Sequence, residues 1–249
     1  FIDSIVAAIS PKAAYEREIY KIAADGLRSL DSYDAGSYEH NNRNWNVTNE
    51  SAEITDRYSR DTIRARARDL ERNSDIMNSI TSAWKRNIIG SGFILQAKTP
   101  DAELNKQIER AWKKWCKKQN CDVTQTQSLN QMLRMAVNRK KVDGGILFIK
   151  RYTNGGMIPF KLQVIEVDEL DTMATAPKNK GNKVVGGIEY NAYNAPVGYF
   201  IKQYDIDGYN LSTPVYVEAK NVIFYFSKKR PSQLREISDL SLIHISEPT

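Results

Sequence analysis

The chain has 249 residues, 41% hydrophobic and 27% charged, and carries a formal charge of +6. This is the balance of a globular protein with enough chain for one large domain or two small ones. No run of ~18 apolar residues occurs, so no transmembrane helix is expected. Two cysteines and two distant histidines fall short of the roughly four ligands of a structural zinc site.

Phe1 to Ile9 is apolar but lacks a preceding basic stretch and a small-residue cleavage site, and is not read as a signal peptide. Residues 4–30 are predicted helical, with Ser10 as cap, Pro11 at the first helical position and Gly26 near the stop. Residues 31–50, rich in Ser, Asn, Tyr and Gly, read as an irregular arm. Residues 59–89 predict one long helix, because Ile63, Ala67, Leu70, Met77, Ile80, Trp84 and Ile88 recur at spacings of three, four and seven. Gly90 and Gly92 are expected to end it. Phe93, Leu95 and Ala97 alternate with polar residues, which predicts a short strand. A second helix is expected over 101–118, capped by Asp101, and a third over 126–141, ending in Arg139-Lys140-Lys141.

From Gly144 the period changes to that of strands. Ile146–Lys150, Lys161–Glu166, Val184–Tyr190, Val197–Tyr204, Pro214–Val217 and Val222–Phe226 are short and β-rich, with Gly, Asn and Pro between them. Helices first and strands afterwards predict an α+β fold with a mostly antiparallel sheet. The predicted parts are a helix and arm over 1–58, a helical part over 59–142, a β-rich part over 143–239 and a tail over 240–249.

The tail is a special case. Leu240 to Thr249 back-translates to CTG TCT CTT ATA CAC ATC TCC GAG CCC ACG, the transposon-end adapter used in sequencing libraries. It is read as adapter-derived and set aside, together with His244. The natural sequence is then expected to continue differently after Asp239.

No cluster reads as catalytic, and no cofactor is expected. His40 lies in an Asn-rich stretch and is read as a loop residue rather than a base for a nucleophile. Glu166, Asp168, Glu169 and Asp171 form an acidic group that could hold a divalent metal; the plainer reading is a strand end followed by a solvated turn. Paired glycines at 144–145, 155–156 and 186–187 match no phosphate-binding frame. Cys116 and Cys121 are read as free thiols. The basic residues carry more weight. Arg64, Arg66, Arg68 and Arg72 form a ladder on the long helix, and Arg230 and Arg235 flank a turn after the last strand. With Asp61, Asp69 and Glu71 nearby, the ladder is read as salt bridges within or between subunits rather than as a DNA contact. Lys113-Lys114 and Lys117-Lys118, interleaved with Trp112 and Trp115, are read as a solvated helix face.

Several of these segments, in order, resemble the lambda family of phage portal proteins. They are Ile9-Ser10-Pro11-Lys12-Ala13-Ala14, Leu70-Glu71-Arg72-Asn73, Asn87-Ile88-Ile89-Gly90-Ser91-Gly92, Asp143-Gly144-Gly145, Val185-Gly186-Gly187-Ile188-Glu189-Tyr190 with Ala195-Pro196-Val197-Gly198-Tyr199, and Arg230-Pro231-Ser232-Gln233-Leu234-Arg235. Ser232 and Glu236 stand where that family usually has glycine, and Phe224 where histidine is common, which puts the backbone of the turn in question.

The resemblance implies a structural, non-enzymatic, non-membrane protein of the virion, assembled in the host cytoplasm. It implies a homo-oligomeric ring, usually of twelve subunits, at the capsid vertex, through which double-stranded DNA is packaged and ejected. Its implied partners are the terminase large subunit, capsid and scaffold proteins, and the head-tail adaptor. This chain would be the outer wing, with the stem and clip following Asp239. Within such a ring, the Arg64–Arg72 ladder and the acidic Glu166–Asp171 segment are candidates for complementary patches on neighbouring subunits. Two other readings stay open from the residues alone: a metal-dependent nucleic-acid enzyme and a monomeric DNA-binding scaffold.

Overall fold

A computed structural model describes residues 10–30, 48–154, 158–208 and 212–240. The chain divides into two compact units, Phe1–Asn49 and Glu50–Thr249. In the first, helix α1 spans Pro11–Leu30. The Ser10 hydroxyl accepts from the Ala13 N–H, as its capping role requires. The helix runs through Gly26 instead of stopping there. A single helical glycine costs only about 1 kcal/mol. Residues 4–9 of the predicted helix, and most of the predicted arm, lie outside the described residues.

The second unit begins with α2 (Ala52–Arg57), α3 (Arg60–Asn73) and α4 (Asp75–Ile88). The single helix predicted over 59–89 is therefore two helices. Ser74 breaks it, with extended φ/ψ of −114°/117°, and its hydroxyl accepts from the Met77 N–H at 3.3 Å. Serine competes with helical backbone in this way and favours caps over interiors. The apolar stripe is also not one buried face, since Ile80, Trp84 and Ile88 are exposed.

No strand forms over 93–97. The Ala97 N–H donates to the Glu109 carboxylate and the Thr99 N–H to the Asn105 side chain, and no ladder partner exists among the described residues. Helix α5 (Ala102–Trp115) is capped by Asp101, which accepts from the Glu103 and Leu104 N–H groups. It ends before the predicted 118, and a single-turn α6 (Lys118–Cys121) follows. Helix α7 (Leu129–Val142) starts with a reciprocal capping box between Ser128 and Gln131 and ends in the predicted cationic turn.

The strands are β1 (Gly145–Tyr152), β2 (Phe160–Ile165), β3 (Lys183–Val185), β4 (Ile188–Tyr190), β5 (Pro196–Ile201), β6 (Val215–Glu218) and β7 (Val222–Phe226). They form two antiparallel sheets, ordered β2-β1-β7 and β3-β4-β5-β6. The fold is α+β. The strand predicted over Val184–Tyr190 is a hairpin, because Gly186 and Gly187 turn at φ of +56° and +82°. A Cβ on Gly187 would also lie 2.9 Å from the Asp171 backbone.

Strand β1 organises the core. Its side chains alternate between faces, and its first five residues are buried. Leu147 and Ile149 pack toward the second sheet, with Ile165, Ile188, Tyr199, Ile201 and Val222. Ile146 and Phe148 pack toward the helices, with Trp115, Cys121, Met132, Ala136 and Leu162. The result is three layers: helices, a three-stranded sheet and a four-stranded sheet.

The buried Asp122 holds the connection between α6 and α7. Its carboxylate accepts from the Thr124, Thr126 and Gln127 N–H groups at 3.0–3.1 Å and from two threonine hydroxyls. Burial alone would raise its pKa. The hydrogen bonds from Thr124, Gln127 and Thr126 outweigh that and hold it below the ordinary carboxylate value. A depressed folded pKa contributes stability above the unfolded value, near pH ~4, that is lost as pH falls through the folded value. Denaturant midpoints should therefore fall from about pH 4 downward. Asp122→Asn should be less stable at neutral pH and show a shallower acid limb; an unchanged limb would contradict this assignment.

Gly144 joins α7 to β1 at φ +91°, and a Cβ there would lie 2.4 Å from the Ile237 carbonyl carbon. Gly144→Ala should cost about 2–5 kcal/mol, from an unfavourable φ and a clash with backbone. Urea denaturation measures this; a loss below about 1 kcal/mol would show that the backbone at Ile237 yields.

Candidate functional site

The inward face of α3 is charged. Arg60, Arg64 and Ala67 are buried, and Arg68 and Glu71 are half-buried. These positions share a face through i, i+4 and i, i+7 spacing. Long arginine stems can cover apolar surface while their guanidinium groups seek anions. The anions come from distant segments of the chain.

The central anion is Glu236, which is fully buried. Its Oε1 receives Arg64 Nη1 at 3.0 Å and Arg235 Nη2 at 2.9 Å, and its Oε2 receives Arg235 Nε at 2.8 Å. Arg60 Nε donates to the Glu236 carbonyl at 2.9 Å, and Arg60 Nη2 reaches Glu53 at 2.8 Å. Arg235 also donates to the carbonyls of Gly186 and Val167. Arg235 is 1% exposed, and its guanidinium is held protonated because the adjacent Glu236 outweighs the cost of burial.

The rest of the turn is fixed in the same manner. The buried Gln233 donates to the Arg235 carbonyl and accepts from the Lys229 N–H. The Tyr190 hydroxyl donates to the Leu234 carbonyl at 2.7 Å. The Ser232 hydroxyl accepts from the Ala52 N–H at 3.0 Å. Neither Ser232 nor Glu236 has a positive φ. The turn thus needs no glycine at either position, which answers the question raised by the family pattern.

The acidic segment lies against the same helix. Asp168 pairs with Arg64 Nε at 3.0 Å and Arg68 Nη2 at 2.5 Å. Glu166 pairs with Arg68 at 3.3 Å, and Asp143 with Arg68 Nε at 2.7 Å. Burial works against the Arg68 charge, but the hydrogen bond and charge of Asp143, with Asp168 beside it, more than reverse this and raise its pKa. Glu169 instead accepts from the Glu166 N–H, and burial raises its pKa. Asp171 pairs with Lys202 at 2.9 Å.

The basic ladder and the acidic segment, read above as patches on neighbouring subunits, therefore meet within one chain at Arg64 and Arg68. Arg66 is exposed, and Arg72 makes one solvent-exposed pair with Asp69 at 3.8 Å. Arg230 is exposed and donates to the Glu50 carbonyl. Among the described residues, no three His, Cys, Asp or Glu side chains are arranged to hold a metal ion. His40 and His244 lie outside the described residues. Cys116 and Cys121 are free thiols, and burial pushes Cys121 up to about 11.

Arg60, Glu53, Asp143, Arg139 and Glu236 also belong to this network, beyond the residues that the sequence marks as candidates. Arg139 bonds Glu71 and Asp143 and so extends the chain of charges to α7. One signal was present: Arg60, Arg64 and Arg68 recur every four residues, which puts them on one face. Their anions are up to 176 residues away in sequence, where no local pattern reaches.

Removing one partner of a buried ion pair leaves an uncompensated charge and costs about 3–5 kcal/mol. Glu236→Ala should lose that much in urea denaturation. A loss under about 1 kcal/mol would mean that water enters and solvates Arg64 and Arg235.

Two comparisons with known proteins bear on this unit. A portal protein of Halomonas phage phiHAP-1, described as a "Probable portal protein", is 29% identical over 189 residues, covering 70% of this chain and 36% of the relative. The chain thus spans about a third of the length of that curated relative. The family described as "Phage portal protein, lambda family" matches residues 38–243. That span leaves out Ile9–Ala14 but contains the whole charge network, from Glu53 to Glu236. With most of its length so matched, the chain belongs to the lambda family of phage portal proteins.

Proposed function

We propose that this chain forms the outer wing of a portal subunit, and that the subunit assembles into a ring at the capsid vertex. Double-stranded DNA would pass through that ring during packaging and ejection, with the terminase large subunit and the head-tail connector docking on it in turn. In this reading the chain is structural. Residues 1–49 serve as an N-terminal helix and arm, 50–142 as the helical part of the wing and 143–239 as its β-rich part. The observation that carries the reading is the family match, which extends across the folded unit. The closed network around Glu236 supports it in a second way. A ring subunit has to bear load without deforming, and a layer that ties α3, the acidic segment and the C-terminal strap together is suited to that. Among the described residues, no helix is long and apolar enough to cross a membrane.

The contacts between subunits fall, in this proposal, to arginines that are not consumed inside the chain. Arg66 and Arg72 lie on the outer face of α3, where bidentate pairing with carboxylates of a neighbour is open to them. Arg68 is tied to Asp143, Glu166 and Asp168 and serves the subunit's own fold.

The test uses the full-length gene product. Particle imaging and native mass measurement should find closed rings; a monomer at all concentrations and salt conditions would overturn the portal reading. Arg66→Glu with Arg72→Glu should weaken assembly about tenfold or more, equivalent to ~1.4 kcal/mol, and leave the thermal unfolding of the subunit unchanged. Arg68→Glu should instead destabilise the subunit itself. Rings that form equally well with both surface reversals would remove Arg66 and Arg72 from the interface.

A further inference from the structure

The strongest unused feature is a basic corner formed by the end of α5 and the start of α6. Arg110, Lys113, Lys114, Lys117 and Lys118 are all exposed. None has an ion pair among the described residues. No acid interrupts the nine residues from Arg110 to Lys118, in a chain whose formal excess is +6. Of the α3 arginines, Arg60, Arg64 and Arg68 are neutralised internally and Arg66 and Arg72 stay on the surface, whereas this corner gathers five surface cations within nine residues. On α5 itself, Arg110, Lys113 and Lys114 fall on one face by i, i+3 and i, i+4 spacing.

The acids nearby are engaged elsewhere. Glu103 pairs with Lys106 at 3.6 Å, Glu109 accepts from the Ala97 N–H, and Asp122 is buried in its own turn. Beneath the corner lies Lys161. It is only 4% exposed, and its ammonium donates to the Gln119 carbonyl at 3.0 Å with no carboxylate partner among the described residues. A helix C-terminus favours cations in its last turn, which accounts for Lys113 and Lys114. It does not account for Lys117 and Lys118 beyond the helix, or for a buried lysine without an anion.

We propose that this corner binds the phosphate backbone of duplex nucleic acid. Four of its five surface cations are lysines. Lysine is a flexible point charge suited to a polyanion, whereas protein interfaces are depleted in lysine and enriched in arginine. Single-strand binding sites add aromatic platforms on which bases stack. Here the aromatic residues are turned inward: Trp115 is 8% exposed, stacks on Phe160, and donates its Nε1–H to the Phe160 carbonyl at 2.9 Å. Trp112 is half-buried beside it. Charge without stacking fits a duplex backbone read without sequence preference. The proposal goes beyond the ring assignment and does not depend on it.

The experiment is a salt titration of the full chain against a 30-base-pair duplex of arbitrary sequence, followed by fluorescence anisotropy. With all five cations engaged, log K should fall against log salt with a slope of about −4.5, at ~0.9 per phosphate neutralised. Replacing Lys113, Lys114, Lys117 and Lys118 with Gln should bring the slope to about −1 and weaken binding at least about a hundredfold near 0.1 M salt. Circular dichroism should be unchanged, since all four side chains are exposed. Arg66→Gln with Arg72→Gln should keep the steep slope. A quadruple variant with the parent slope would overturn the proposal, as would tighter binding to a single strand than to the duplex. Capture of poly-glutamate in preference to DNA would overturn it in favour of an acidic protein surface. The slope is read in any oligomeric state, so its failure and a failure of ring assembly are separate results.

Discussion

The carboxylate of Glu236 is the constraint on which the rest of the folded unit depends. Residues 227–239 form no regular secondary structure, yet Gln233, Arg235, Glu236 and Ser238 are almost completely buried. Buried backbone and charge need partners, and here side chains from the surrounding elements supply them. Arg60 and Arg64 come from α3, Tyr190 from β4 and the Ala52 N–H from α2. The Asp239 N–H and Lys141 bind each other's segments at the end of α7. An irregular strap thus links α2, α3, both sheets and α7. Buried ion pairs seldom add much net stability over apolar packing. In this arrangement of the strap all of these groups find partners together.

This arrangement sorts the cations of the chain by chemistry. Arginines 60, 64 and 235 are buried and 68 and 139 half-buried, where a planar guanidinium can bridge several oxygens at once. Arg64 alone meets Asp61, Asp168 and Glu236. The lysines of the α5–α6 corner stay outside. A surface map drawn from sequence would place the strongest positive field on the α3 ladder. Internal pairing withdraws Arg60, Arg64 and Arg68 from that field, and long-range attraction of polyanions follows the charge left at the surface rather than the count of arginines.

Much of the fold was legible. Asp101 caps α5 as expected, α7 starts three residues after its predicted position at 126, and the strand runs after Gly144 appear within a few residues of their predicted places, with Val222–Phe226 as predicted. The misreadings have physical causes. The apolar stripe over 59–89 keeps its phase across Ser74, so periodicity could not reveal the serine's capping hydrogen bond. Phe93, Leu95 and Ala97 alternate as a strand should, but a strand needs a partner, and a one-dimensional pattern does not show whether one is present. Gly186-Gly187 is a turn signal that was absorbed into a strand because the flanking valines, isoleucine and tyrosine are β-formers. The candidate site was legible only by half. The arginines and the acidic segment were both recognised, but their meeting within a single chain depends on contacts over 98 and more residues.

The departures from the family pattern at 232 and 236 follow from the same network. Where a glycine stands at 236, no carboxylate is available, and a buried Arg235 and Arg64 would have no common anion. A chain with glycine there must change the arginines, bring in another acid or admit water. Glu236 and the α3 arginines are therefore a coupled set, and neither position can be understood alone. Ser232 follows the same logic on a smaller scale, since its hydroxyl satisfies the first N–H of α2. Phe224 packs beside Phe226 and meets Tyr199 edge-on, which extends the apolar core to the edge strand β7. The turn of this chain is thus held by side-chain hydrogen bonds and ion pairs.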